Sequence, residues 1–469
     1  MADSILGLIT SAKFAAENDR FYNHRRKILY SYPAGNCSLT GILSLADDEP
    51  TDDTVNIWYE QRYQSPQFAS RGTNPLTLSA PSTCDADDGT VAVTATINNV
   101  TTDVWLKVDS TKDLRPSQVI QQDTAEYQLW VIQVVPGVAT ASLKGYVKCR
   151  MLRAVTPYTG TDYTAGTTFS VVGTAVGEGA SDTGLTPLGM KRPYAVQNQC
   201  QIFRTAFTFT GTVLKEGLKY DASGPYKKRA KEAIIEHMTS IERTIIWGKK
   251  STTTRAALTS GDEDEVVRTM SGILEFIRLW DAGSTGLQID GSTYAPYGFK
   301  TASTLDSQDQ KRIIDNTDGT ISVKKFNIWA ERVTRYSSGK TRDKLILCGS
   351  GCSLVFAELL RKNTQVLASE KTKIYGLSLT TISTPCGDFH LMNHPLFSER
   401  ADLRQAALIL DVWNIKFRPL RDRDTTLRKM IQPNGADRRK DEYLTEATLE
   451  FVRPDSCMYI KNISTYVES

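Results

Sequence analysis

The run LILCGSGCSLVF, Leu345 to Phe356, sets a glycine turn between an apolar strand pattern and an amphipathic helix pattern. Dinucleotide folds hold a pyrophosphate on helix-terminal amides in that setting. Gly349 and Gly351 fit the first two glycine positions, but the third is Leu354, and no acidic residue stands at a strand end about twenty residues on. A tight strand-to-helix turn accounts for the two glycines. His390 and His394 would share a face, and could then hold a metal, if their segment were helical. A Cys-Gly-Asp turn precedes them and Pro395 follows, so the segment reads as a strand. On a strand the two rings stand roughly 13 Å apart and cannot share an ion. Asp262, Glu263, Asp264 and Glu265 could attract magnesium, yet acids at a helix start are also what the helix dipole favours. With four histidines in all and no nucleophile–base–orienter set, the chain offers no catalytic residues, no metal site and no cofactor site.

Charge is the remaining chemistry. Arg418, Arg421, Arg423, Arg428 and Lys429, then Arg438, Arg439 and Lys440, form the densest basic stretch. Asp422, Asp424 and Asp437 interleave with it, so it reads as a source of ion pairs between subunits rather than a phosphate track. A second basic cluster, Lys227, Lys228, Arg229 and Lys231, opens the longest helical pattern, where the dipole is already positive and cations are disfavoured. Either an acidic partner meets this cluster, or it is a solvated face with Lys228–Glu232 pairing.

That helix is the element around which the rest is arranged. Ser223 is placed to cap it, Pro225 suits its first turn, and Gly248 suits a left-handed stop. Tyr226, Ala230, Ile234, Met238, Ile241 and Ile245 recur every three or four residues as an apolar stripe. A rod of roughly 35 Å results.

The 469 residues exceed one small core, so two or three sub-domains are expected. A formal charge of +3 argues against a basic nucleic-acid-binding surface throughout. The eight cysteines include no CxxC pair and read as reduced thiols. The first residues lack a basic n-region, and Lys13 breaks their apolar run, so neither a signal peptide nor a membrane span is expected.

In chain order, residues 4–30 read as an amphipathic helix followed by a basic arm ending in His24, Arg25, Arg26 and Lys27. Ser38 opens a short helix. Val55, Ile57 and Tyr59 suggest the inner face of a strand. Between Pro75 and Gly189 the texture is β-rich: VAVTATI, DVWLKV, YQLWVIQVV and LKGYVKCRML are strands, with Trp105 and Trp130 expected in a small separate core. QIFRTAFTFTGT follows, with Phe203, Phe207 and Phe209 on one face. After the long helix, a polar loop precedes a second helix from Glu263 to Trp280. Then come a helix at 326–336, a buried strand Lys344–Cys348, a helix at 354–360, and a hairpin around Cys386, Gly387 and Asp388. Residues 406–417 and 443–452 are further strands, the last with Tyr443, Thr445, Ala447, Leu449 and Phe451 alternating.

The order of these parts carries a resemblance. NQCQIFRTAFTFTGT followed by YKKRAKEAIIEHMTSIERTIIWG resembles the strand and spine helix of tailed-phage major capsid proteins with the Hong Kong 97 fold, in the SU-ten-like branch. YPAGNCSLTGILSLADDEPTDDTVNIWYE resembles that branch's early helix and strand. FNIWAERVTRY with KLILCGSGCSLVFAELLRK, and IYGLSLTTISTPCGDFHLMNHPLF, resemble its axial domain. ILDVWNIKFRPL and YLTEATLEFVRPDSCMYIKNIS resemble its closing strands.

The resemblance implies an α+β capsid fold. Its parts would be an N-terminal arm (1–45), the first part of a peripheral domain (46–75), and an extended loop with a β-rich insertion (76–222). The spine helix and peripheral domain (223–320), an axial domain (321–405) and closing strands (406–469) would follow. It implies a non-enzymatic shell subunit that assembles into hexamers and pentamers around double-stranded DNA. The partners implied are copies of itself, a portal, a separate scaffolding protein and decoration proteins. Contact with packaged DNA would be non-specific, and no membrane is implied. Lys227, Lys228, Arg229, Lys231, Phe203, Phe207, Phe209, Arg421, Arg423 and Arg428 are the subunit-contact candidates. A β-rich virion surface or adhesion protein is the alternative, followed by an intracellular α/β nucleotide-binding enzyme.

Overall fold

The computed structural model describes residues 38–43, 49–60, 67–70, 76–77, 103–111, 114–122, 128–136, 145–152, 166–178, 194–215, 224–255, 265–282, 311–335, 342–362, 368–374 and 377–468. The arm at 4–30, the VAVTATI segment, Ser223 and Asp262 to Asp264 lie outside them. The described residues form two compact units, one drawn from Met1–Trp58, Ala195–Tyr294 and Gln310–Ser469, the other from Tyr59–Tyr194. The fold is α+β.

The first unit is built on a mixed seven-stranded sheet. Its order is Ile313–Asp315, Met458–Lys461, Ala407–Leu410, Lys344–Cys348, Gly387–Asn393, Leu377–Thr384, Ala368–Ile374. Lys344–Cys348 sits in the middle, parallel to Gly387–Asn393 and antiparallel to Ala407–Leu410, and every residue in it is buried. Both of its faces are covered, which is why KLILC reads as an unbroken apolar run. Leu345 and Leu347 point to a core shared with Ile241, Ile245 and Ile246 of the spine helix. Ile346 and Cys348 point to a second core with Phe326, Trp329, Ala330 and Val333 of the helix Val323–Thr334. Each such aliphatic side chain, fully buried, contributes about 1.5–3 kcal/mol. At its start, Lys344 Nζ makes a buried ion pair with Asp411 Oδ2 at 2.5 Å.

The spine helix spans Pro225–Trp247. Gly224, with φ 85°, precedes it, a conformation that Gly adopts without penalty. Gly248 does not form the expected left-handed stop: its φ is −53° and ψ 148°. A Cβ there would lie 2.6 Å from Thr244 O and 2.7 Å from Met270 O, so close backbone approach is what requires glycine. The buried stripe is also rotated from the expected one. Ala233, His237, Ile241, Glu242, Ile245 and Ile246 are buried, whereas Tyr226, Ala230, Ile234 and Met238 are only partly covered. Two polar residues in that stripe, His237 and Glu242, find partners in the tertiary structure.

A four-stranded sheet packs on this helix. The long strand Arg438–Phe451 pairs antiparallel with Gln201–Thr210, Ile415–Pro419 and Thr426–Arg428. The expected single strand at 406–417 is two strands in different sheets, separated by a 3-10 turn at Val412–Asn414. The expected helix from Glu263 is instead a strand, Glu265–Thr269, paired with Ser251–Arg255, and the helix starts only at Ile273. β-Branched Thr252, Thr253, Thr254, Val266 and Val267 favour the extended form. The helix expected at 354–360 begins earlier, at Ser350. On Val55–Glu60 the inward face is Trp58, packed 6.0 Å from Phe276, while Ile57 and Tyr59 are exposed. The large indole decides that register, opposite to the expected one.

The second unit is an antiparallel seven-stranded sheet. Its order is Gln67–Ala69, Thr168–Thr174, Gln118–Gln122, Gln128–Pro136, Gly145–Met151, Asp103–Val108, Leu76–Thr77. Its core comprises Phe68, Val104, Leu106, Ile120, Leu129, Val131, Val147, Cys149 and Phe169 among others. Trp105 and Trp130 are not in that core. They alternate with it, on the opposite face, where Trp105 meets Tyr146 edge-on at 5.2 Å and Trp130 Nε1 donates to Ala175 O at 2.9 Å. No helix among the described residues is long and apolar enough to cross a membrane.

Candidate assembly surfaces

The N-terminal end of the spine helix is anchored by an aromatic and ionic cluster. The Tyr226 ring lies 5.9 Å from Phe207 and 6.2 Å from Phe209, and the Arg439 guanidinium stacks 4.3 Å above it. The Tyr226 hydroxyl donates to Asp441 Oδ2 at 2.6 Å and accepts from Arg439 Nη2 at 3.1 Å. Burial pushes the Asp441 carboxyl up, but bonds from Arg439, Tyr226 and the Met430 amide outweigh it and hold the group below the usual carboxylate range. Burial and Asp441 together push the Tyr226 hydroxyl up.

This anchoring fixes where the basic cluster points. Lys227, Arg229 and Lys231 are exposed. Glu232 receives Lys228 at 3.8 Å and Arg229 at 3.3 Å, so those two are engaged within the helix. Lys227 and Lys231 have no ion pair among the described residues. The structure therefore bears out the Lys228–Glu232 pairing along the helix and leaves Lys227 and Lys231 exposed.

The phenylalanine strand is not an open arm. Phe203 and Phe207 are buried within the subunit, facing the spine helix with Thr205, and Phe209 is partly covered. The pairing of Gln201–Thr210 with Arg438–Phe451 and the helix above it consume that face. Sequence reading also missed the polar groups beneath. His237 bridges Thr205 Oγ1 at 3.0 Å and Thr445 Oγ1 at 2.8 Å, and burial pushes its imidazole below the ordinary value.

The arginine stretch is paired inside the chain, mostly with glutamates rather than the interleaved aspartates. Glu442, Glu446 and Glu450 recur every fourth residue on one strand and so share a face. Arg204 reaches Glu442 at 2.6 Å, with Arg428 at 3.9 Å. Arg423 reaches Glu446 at 2.8 Å, and Arg418 binds Glu450 and, at 2.9 Å, Glu49. The three glutamates are buried beneath their arginines, whereas Arg421 pairs with Asp52 at 2.9 Å in solvent. The four-residue period of the glutamates was the available signal.

The glycine turn is filled by the chain itself. A Cβ at Gly349 would lie 2.5 Å from Arg404 O and 2.6 Å from Leu403 O. The Gly349 amide donates to Ala406 O, the Ser350 amide to Ser398 Oγ, and the Cys352 amide to Arg404 O. The amides of Gly349, Ser350 and Cys352 are thus already bonded within the chain. His390 bonds Thr381 Oγ1 at 3.1 Å and His394 bonds Glu242 Oε1 at 2.5 Å, so the two rings serve different elements. Among the described residues no group of three or more His, Cys, Asp or Glu is placed to hold a metal.

The open surfaces lie elsewhere. The hairpin Ser251–Arg255 with Glu265–Thr269 is exposed along nearly its whole length, including Val266 and Val267. Trp413, on the turn between two sheets, is 72% exposed, and Leu354, on the helix after the glycine turn, 73%. A two-stranded ribbon open on both faces has little stability of its own and gains from a covering surface.

A family model described as SU10 major capsid protein matches residues 36–464. No curated protein matches the chain. Among solved structures, one from Mycobacterium phage Adephagia aligns over 99% of both chains at 7% identity and a TM-score of 0.39. The holo-SrpI encapsulin complex from Synechococcus elongatus aligns over 59% of this chain and 79% of its own at 9% identity and a TM-score of 0.37. The family match covers nearly all of the first unit together with the second, and the chain belongs to the SU10 major capsid protein family, tailed-phage capsid proteins with the Hong Kong 97 fold.

Proposed function

We propose that this chain is the shell-forming subunit of a tailed-phage head, arranged as hexamers and pentamers in an icosahedral shell around double-stranded DNA. The observation that carries this reading is the family match across residues 36–464. The surface supports it: an open hairpin, exposed Trp413 and Leu354, and exposed Lys227 and Lys231 are what a subunit keeps for its neighbours. Phe203, Phe207, Arg423 and Arg428 stabilise the subunit itself, while Lys227, Arg229, Lys231 and Arg421 lie where another chain reaches them. A near-neutral net charge of +3 suits a unit repeated many times, because like-charge repulsion would otherwise accumulate. The expected partners are copies of the chain, a portal, a separate scaffolding protein and decoration proteins. Packaged DNA would be met without sequence preference, and the protein would reside in the virion after assembly in the host cytoplasm. Heterologous contacts around rings would close the shell.

Co-expression with its scaffolding protein, followed by size-exclusion chromatography and electron microscopy, tests the proposal. Rings or closed shells are expected. A monodisperse monomer at high concentration with scaffold supplied would overturn it.

A further inference from the structure

Glu242 lies on the spine helix and is 1% exposed, yet it meets no arginine or lysine among the described residues. Its carboxylate collects donors from two segments remote in sequence. Oε1 accepts from His394 Nε2 at 2.5 Å and from the Leu39 amide at 3.4 Å, and Oε2 accepts from Thr40 Oγ1 at 3.1 Å. His394 is itself fully buried, its backbone amide bonded to Cys348 O and its ring edge-on to Phe397 at 5.7 Å. Among the described residues its Nδ1 has no hydrogen-bond partner. A buried carboxyl group is costly without hydrogen-bond partners, and these donors supply them.

We propose that Glu242 and His394 form a buried clamp that holds the segment Ser38–Leu43 on the spine helix, so that disabling this one carboxylate frees the N-terminal segment while the sheet stays folded. The asymmetry of the contacts supports this. The spine helix keeps two further ties to Pro395–Glu399: the Arg243–Glu399 ion pair at 3.6 Å and the Trp247–Phe397 ring contact at 5.6 Å. The Ser38–Leu43 segment has Leu39 and Leu43 buried in the core, and its side-chain and long-range polar bonds among the described residues go to Glu242. The clamp is a property of the subunit and holds whether or not the chain builds a shell.

Hydrogen-exchange mass spectrometry on the full chain tests it, comparing Glu242→Gln, Thr40→Val and Thr40→Ser with the unaltered protein. Exchange across 39–43 is expected to rise roughly tenfold in Glu242→Gln, the scale of a lost bond to a charged group. A smaller rise is expected in Thr40→Val and none in Thr40→Ser, with Lys344–Cys348 unchanged throughout. If burial of Leu39 and Leu43 alone held the segment, Thr40→Val would leave its exchange unaltered, and that result overturns the clamp. Should Glu242→Gln fail to fold, the threonine pair decides the question by itself.

Discussion

Asn198 and Ser271 exchange two hydrogen bonds in the interior of the first unit: Asn198 Nδ2 donates to Ser271 O at 3.1 Å, and the Ser271 amide donates to Asn198 Oδ1 at 2.9 Å. The same side chain donates to Leu449 O at 2.7 Å and accepts from the Gln199 amide at 2.9 Å. One fully buried amide therefore joins the strand Tyr194–Gln199, the turn before the helix Ile273–Ala282 and the long closing strand. Asn198→Ala is expected to cost about 2–4 kcal/mol in chemical denaturation of the subunit, because buried backbone groups lose their partners. Asn198→Asp should cost more, since a carboxylate would face the Ser271 and Leu449 carbonyl oxygens. Equal stability of Asn198→Asp and the unaltered chain at neutral pH would contradict this account.

The Asp441 carboxyl gives a pH dependence of defined sign. Its pKa in the folded chain is lowered, so its contribution is fully present above the ordinary carboxylate value of about 3.9 and is lost as pH falls through the depressed folded value. Asp441→Asn is expected to melt lower than the unaltered chain at pH 7. The gap should close as the pH drops below about 4. A gap that stays constant between pH 7 and pH 3 would assign the effect to shape rather than charge.

Gly349→Ala should destabilise the subunit by about 1–3 kcal/mol, since its methyl would be driven into the backbone of Arg404 and Leu403. Gly351→Ala, where the nearest atom is Arg404 O at 3.1 Å, should cost less. Neither the unaltered protein nor these variants should show a melting shift with ATP or NAD, because the Gly349, Ser350 and Cys352 amides are already bonded within the chain. A nucleotide-dependent shift abolished by Gly349→Ala would restore the phosphate-binding reading.

The second unit should be removable. Val55–Glu60 and Tyr194–Gln199 pair with each other, so their ends are close enough for a short linker, and the intervening sheet has its own apolar core. Replacing residues 61–193 with a Gly/Ser linker is expected to leave cooperative unfolding of the first unit intact by circular dichroism. Loss of that transition would mean that this stretch supplies part of the main core.

Residue order by itself determined the elements whose patterns are local. The spine helix, the apolar run Lys344–Cys348, the helix with Phe326, Trp329, Ala330 and Val333 inward, and the hairpin at Gly387 follow from period and turn chemistry alone. The order of those parts was enough to point to a capsid subunit. Tertiary structure decided whatever depended on partners distant in sequence. It turned the spine helix so that His237 and Glu242 face inward, because Thr445, Thr40 and His394 are there to bond them. It spent the arginines on Glu442, Glu446 and Glu450, turned Trp58 rather than Ile57 inward, and filled the glycine turn with Arg404. A side chain's face and its partner are set by what packs across from it, and no local period carries that information.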